Sequence, residues 1–170
     1  MKLDIGGYYL RSFEDSDVEA LVKHGNNKKV SVNLRDGFPY PYTISDAHNW
    51  ILYNKQKFPE TNFAIADKNE LIGGIGIAIQ DDVHRLCAEI GYWLSESYWG
   101  KGIATKALKT MTEYALRNFD LIRIYANVFQ TNTASIKVLE KAGYILEGRL
   151  RKSVIKDGKI LDQFIYAYLK

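Results

Sequence analysis

The sequence predicts an α/β protein built on one mixed, mostly antiparallel twisted sheet with helices packed against it. Three observations carry this. The patterns run strand, two helices, three strands, helix, strand, helix, two strands, which makes about seven strands and about four helices. The best helical pattern, Gly102 to Asn118, lies between two strand-like runs and implies a parallel pair near the fifth strand. Asp157-Gly158 joins the last two strands and is a strong signal for a tight antiparallel hairpin.

Tyr8 to Phe13 alternates aromatic or apolar with polar residues and reads as the first strand. Ser16 is the expected cap of a short helix with Val18, Leu21 and Val22 on its inner face. From Asn26 to Tyr42 the chain reads as irregular, because "DGFPYPYT" carries two of the three prolines. Ser45 opens a second helical pattern, with Ala47, Trp50, Ile51 and Asn54 spaced for one face. Strands follow at Asn62 to Ala66, Leu71 to Gln80 and Cys87 to Ser95, separated by the polar stretches DKNE and DDVHR. In the long helix Ile103, Ala104, Ala107, Leu108, Met111, Tyr114 and Ala115 recur at helical spacing. Leu121 to Phe129 is the next strand. Asn132 caps the last helix and Gly143 ends it in the left-handed conformation.

At 170 residues the expectation is one domain, 1–170, with no internal boundary, repeat or low-complexity tract. The net charge of +3 is mild and the basic residues are scattered among acidic ones, so no nucleic-acid tail is expected. Cys87 is the only cysteine, which excludes an intrachain disulfide, and its place in a strand-like run reads as a buried apolar filler. No signal-peptide core and no membrane-spanning run are visible, so the expected location is cytoplasmic. His24, His48 and His84 share no metal-ligand spacing, and no metal is expected.

Two glycine-rich stretches could cradle phosphate. "GGIGIA" at Gly73 to Ala78 echoes a dinucleotide fingerprint, but that motif needs a strand-to-helix turn and here Ile77 to Ile79 continue a strand. Its glycines instead mark a bulge or the close approach of another backbone. The second stretch, "YWGKGIATKAL", follows a strand and leads straight into the strongest helix. The first amides of that helix lack partners and carry the positive end of its dipole, and Gly100 and Gly102 leave room for an anion to approach. Lys101 and Lys106 add positive charge. A turn whose glycines only relieve backbone strain is the plainer reading of the same residues.

"WGKGIATKAL" resembles the signature loop of the GNAT superfamily of acyl-CoA-dependent N-acetyltransferases, Gln/Arg-x-x-Gly-x-Gly/Ala. Trp99, Gly102 and Ala104 take its defined positions, with Trp99 departing from the usual Gln or Arg at the loss of one polar contact. "AEIGYWLSESYWGKGIATKAL", "NTASIKVLEKAGYILEGRLR" and "DGFPYPYTISDAHNWI" are similar to the Rim-type branch that acetylates ribosomal-protein N-termini. The resemblance covers the whole chain. It implies a GNAT-like domain whose parallel strand pair splays around the acyl-CoA, with acetyl-CoA as acyl donor bound by Trp99, Gly100, Lys101, Gly102, Ile103, Ala104 and Thr105. It further implies that Tyr92, Trp93 and Leu94 contact the pantetheine arm, a bulge amide among them polarising the thioester carbonyl. Asn132 and Ser135 are implied to meet the cofactor, with Ser135 assisting the departing thiol. Where many relatives carry a tyrosine acid this chain has Leu139.

Acetyl transfer to an amine needs a base, and an α-amine with pKa about 7.7–8.0 needs only a modest one. Glu89 is the candidate, since alternation puts it on one strand face with Gly91 and Trp93. A carboxylate in an otherwise apolar strand is expected to have a raised pKa if buried. An exposed strand carboxylate without function is the other reading. Asn33, Arg35, Tyr40 and Tyr42, on the irregular early segment, are the candidate acceptor contacts, or else pack that segment onto the sheet.

The expected activity is transfer of acetyl to a protein N-terminal α-amine. A small amine (polyamine, antibiotic or amino acid) as acceptor and a non-catalytic acetyl-CoA-binding module are the alternatives. The apolar terminal strands and their tyrosines are suited to a homodimer.

Overall fold

A computed structural model describes residues 2–170. Its elements are β1 (Lys2–Asp4), β2 (Tyr9–Arg11), α1 (Val18–Gly25), α2 (Lys28–Ser31), α3 (Ile44–Lys55), β3 (Asn62–Ala66), β4 (Leu71–Ile79), β5 (Cys87–Leu94), α4 (Ile103–Asn118), β6 (Arg123–Phe129), α5 (Thr133–Lys141), β7 (Ile145–Lys156) and β8 (Lys159–Leu169). The eight strands form one sheet in the order β1-β2-β3-β4-β5-β6-β8-β7. Every neighbouring pair is antiparallel except β5 and β6.

The α/β class, the single parallel pair and the closing hairpin match the expectation from sequence. β1 and α2 were not expected. β1 has only three residues and is held by pairing with β2, while α2 is one turn within the segment read as irregular, started by the Asn27 side chain accepting from the Lys29 amide at 2.8 Å. Two helix starts also differ. Ser16 does not cap α1: Asp17 anchors that turn, because its buried carboxylate takes two hydrogen bonds from Arg11 and one from the Glu14 amide. α3 begins at Ile44 rather than Ser45, since Thr43 and Asp46 form a reciprocal capping box.

Helices cover both faces of the sheet. α4 buries Ile103, Ala107, Leu108, Met111, Tyr114 and Ala115 in the larger core, against Ile75 and Ile77 of β4 and Ala88 and Ile90 of β5. Leu21 of α1 and Ala47 and Ile51 of α3 build a second core with Phe13, Ala64 and Leu71 on the other face. Trp50, expected inside, stands 37% exposed and stacks on Tyr53. Cys87 is half-buried at the start of β5 rather than a core filler.

Two glycine positions matter here. At Gly73 a Cβ would overlap the Trp93 carbonyl oxygen, so this glycine lets β5 lie close against β4. In the last hairpin Asp157 and Gly158 both have positive φ, 49° and 75°, the two-residue turn that suits the twist of β7 and β8. No helix among the described residues is long and apolar enough to cross a membrane.

Candidate active site

The parallel pairing of β5 and β6 is short. It covers Cys87↔Arg123, Ala88↔Ile124 and Glu89↔Tyr125, and beyond these the strands are no longer paired with each other. β5 runs on for five more residues along β4, with no shift of register from Ile79↔Ala88 to Gly73↔Leu94. The sheet therefore forks, and Glu89 is the last paired residue before the fork.

Backbone alternation shows what lines the fork. The Cys87 carbonyl accepts from Gln80 and the Ser95 amide donates to the Ile72 carbonyl, so odd-numbered residues of β5 turn their polar groups to β4. The Leu86 carbonyl accepts from Ile122 and Arg123 on the opposite edge. In an unbroken strand the even-numbered amides face β6, and past the last pair, Glu89↔Tyr125, those of Tyr92 and Leu94 turn into the fork. No bulge is present in β5 among these residues, contrary to expectation; donors are freed because β6 diverges. The Leu94 carbonyl is accounted for, accepting from the Trp99 indole at 2.7 Å. Trp99, read as the loss of a polar contact, thus ties the loop after β5 back to the strand.

That loop leads to α4. Gly100 and Gly102 have φ of 75° and 74°, the left-handed region where a side chain is strained. No atom lies within 4 Å of a Cβ built at either, so the concave side is open. Gly102 begins α4 without any side-chain cap and no acidic residue stands in the first turn, which leaves the Ile103, Ala104 and Thr105 amides for an anion. This is a fit for a pyrophosphate. The Ile103 side chain points inward, 2% exposed, so only its backbone serves the cradle. Lys101 folds back, its ammonium donating to the Ser97 carbonyl at 2.9 Å and lying over the Tyr98 ring.

Across the fork, Asn132 starts α5 with its side chain accepting from the Ser135 amide at 3.2 Å. The Ser135 hydroxyl is 2.8 Å from the Tyr92 phenol. Burial pushes the Tyr92 pKa up to about 12, the hydrogen bond to Ser135 pulling the other way, so the phenol stays protonated at neutral pH. The sequence had singled out Tyr92 for its backbone alone. Leu139 is fully packed in the core, 1% exposed.

Glu89 faces the other side, 20% exposed. Its surroundings are not purely apolar as expected: Asn127 donates to Oε1 at 3.1 Å, and the Arg35 guanidinium lies 3.6 Å from Oε2. Burial first, and then the Glu89 charge, raises the pKa of Tyr125, its neighbour across the parallel ladder. A cavity of about 400 Å³ opens here, lined by Arg35, Asp36, Glu89, Asn127, Phe129, Val154, Ile155, Lys156 and Gln163. Trp93, on the Glu89 face, packs edge-on to Phe38 with ring centroids 5.4 Å apart.

Of the four early-segment residues, only Arg35 lines this cavity. Asn33 donates to the Lys29 carbonyl and closes α2. Tyr40 is exposed beneath the Lys28 ammonium. Tyr42 is 5% exposed in the second core, so as a substrate contact it is corrected to a packing residue. The hairpin residues Val154, Ile155, Lys156 and Gln163 were missed, as was Asn127. Asn127 carried one signal, as the sole amide in the strand "IYANVF"; the hairpin carried none. His24 also has a carboxylate neighbour that spacing did not reveal: its ring bridges Glu70 and the Ser95 hydroxyl at 3.1 and 2.9 Å.

A fork in a parallel pair, an open anion cradle beyond it and a carboxylate at its apex are thus brought together where β5 and β6 part. The chain matches the acetyltransferase (GNAT) domain family over residues 8–145. The chain belongs to the GNAT acetyltransferase family. It is 31% identical over 166 residues to the uncharacterized N-acetyltransferase YoaA of Bacillus subtilis, covering 95% of this chain and 92% of that one. Spermidine N(1)-acetyltransferase of Escherichia coli is 28% identical over 154 residues, 88% of this chain and 79% of its own. RimL, the ribosomal L7/L12 α-N-protein acetyltransferase, solved with coenzyme A, superposes with a TM-score of 0.85 at 26% identity, covering 99% of this chain and 98% of that one. This GNAT protein is an acetyl-CoA-dependent N-acetyltransferase.

Proposed function

We propose that residues 1–170 act as one N-acetyltransferase domain that moves acetyl from acetyl-CoA to a protein N-terminal α-amine. The observation that carries the reading is Glu89 at the apex of the fork. On one side of it are amides turned into the gap, and on the other a cavity with room for an acceptor.

In this reading the α4 cradle holds the pyrophosphate and the pantetheine arm lies in the fork beside Tyr92, Trp93 and Leu94. The amides facing the gap donate to the thioester oxygen as charge builds on it, an effect of order 3 kcal/mol for one such donor. The amine nitrogen attacks the carbonyl carbon, Glu89 takes its proton directly or through one water, and the C–S bond breaks to release thiolate. Ser135, anchored by Tyr92 and Asn132, donates to that thiolate. A thiol of pKa about 8.5 leaves readily, so no strong acid is needed where Leu139 stands. Holding both reactants in the fork is the larger contribution, roughly 7–11 kcal/mol for well-oriented reactants.

A polyamine acceptor, named for the spermidine relative, fits less well. Lys156 in the cavity is paired with Asp36, which leaves the exposed Arg35 guanidinium beside Glu89 to repel a polycation. An acetylation assay on a panel of N-terminal peptides and on spermidine tests this, with kcat/KM expected to favour peptides by about tenfold or more. Turnover of spermidine alone would reject the N-terminal acceptor.

A further inference from the structure

The cavity beside Glu89 holds two cations and two carboxylates, and the two cations are held differently. Lys156 is 7% exposed and is held by Asp36 at 2.7 Å, a surface carboxylate 82% exposed. Arg35 is itself 76% exposed, and its contact with Glu89, at 3.6 Å, is longer than a hydrogen bond. Glu89 already has a second, closer partner in Asn127. Arg35 is therefore the loosely held cation at the mouth.

An acceptor amine arriving at Glu89 meets this guanidinium. If protonated on arrival, it is repelled by Arg35, whose charge stands a few ångströms from Glu89. The repulsion becomes attraction for an acceptor that carries its own carboxylate a few ångströms from the amine. The amine then pairs with Glu89 and the carboxylate with Arg35, while Lys156 stays paired with Asp36. Beyond the cavity, β7 departs from regular pairing between Leu150 and Val154 and displays Arg151 and Lys152 on the surface.

We infer that the preferred acceptor is a polypeptide N-terminus with an aspartate or glutamate among its first two residues, read by Arg35. This rests on the N-terminal reading above and narrows it.

The test uses three peptides of equal length that begin Ser-Glu, Ser-Ala and Ser-Arg and contain no lysine, so that the α-amine is the sole acceptor. With the wild-type enzyme kcat/KM is expected to fall in that order, with about tenfold between the first and last. Arg35→Glu should reverse the order and Arg35→Met should flatten it, in both cases with an unchanged melting temperature because the side chain is exposed. Equal rates for the three peptides with wild-type enzyme would overturn the inference while leaving N-terminal acetylation standing. An order kept in Arg35→Glu would remove Arg35 as the reader. Failure of all three peptides alongside acetylation of spermidine would overturn both readings together.

Discussion

The Tyr92 phenol and the Ser135 hydroxyl, 43 positions apart in sequence, lie 2.8 Å from each other and join the forked strand β5 to the first turn of α5. The phenol remains protonated at neutral pH, so it can donate to Ser135 and leave the serine proton for a departing thiolate. If the two hydroxyls act as one unit, Tyr92→Phe and Ser135→Ala each lower kcat by about tenfold, and the double variant is no slower than the slower single. KM for acetyl-CoA stays near its wild-type value. Fully additive losses, measured by steady-state kinetics on the four proteins, would separate the two groups.

Glu89→Gln keeps the hydrogen bond with Asn127 within reach but removes the proposed base. A loss of about 100-fold in kcat is expected, the lower end of what a positioned general base contributes. Steady-state rates measured over about pH 6–9 decide it, since that range brackets the α-amine pKa. A variant as fast as wild type throughout would leave Glu89 as a plain structural carboxylate.

Gly102→Val tests the cradle. Nothing crowds the position, so the cost is a left-handed φ on a β-branched residue together with a side chain where phosphate would sit. Titration calorimetry should show acetyl-CoA binding weakened by about tenfold or more, with the acceptor KM little changed. Undiminished affinity would favour the plain turn.

Several tyrosines with raised pKa values, Tyr42 and Tyr92 among them, set an alkaline limit on stability. Tyr42 and Tyr92 have pKa values raised to about 12, chiefly by burial, against about 10 in an unfolded chain. Their protonated forms are thus favoured by folding. That contribution is fully present below about pH 10 and is lost as pH climbs through about 12, of order 2 kcal/mol for each group. Denaturant melts of wild type and Tyr42→Phe across this window should show a shallower decline in the variant. An identical decline would mean that Tyr42 ionises as freely folded as unfolded.

Local pattern made much of this fold legible. Helical periodicity marked α4, the left-handed Gly143 marked the end of α5, and Asp157-Gly158 marked the hairpin, all features set within a few residues. β1 was missed because three residues carry no readable alternation, and α2 because its proline-bearing surroundings masked a single turn. Glu89 was visible as a carboxylate among apolar neighbours. Its partners Arg35 and Asn127 arrive from 54 positions before (89 − 35) and 38 after (127 − 89), distances over which no sequence pattern operates. The freed amides of β5 are hidden for a related reason: they depend on where β6 stops pairing, which is a property of two strands and not of either sequence alone.

The two rims of the acceptor cavity are tied to each other across the molecule, Asp36 to Lys156 over 120 positions and Lys28 to Asp157 beside them. The proposed acyl-donor residues, from Glu89 through the α4 loop to Ser135, occupy a continuous stretch between them. A lineage can therefore retarget this enzyme by exchanging the early loop and the hairpin as a matched pair while inheriting the chemistry intact. Exchange of one rim alone strands a buried ammonium without its counterion, so new specificities should arise by coupled substitution of the two segments.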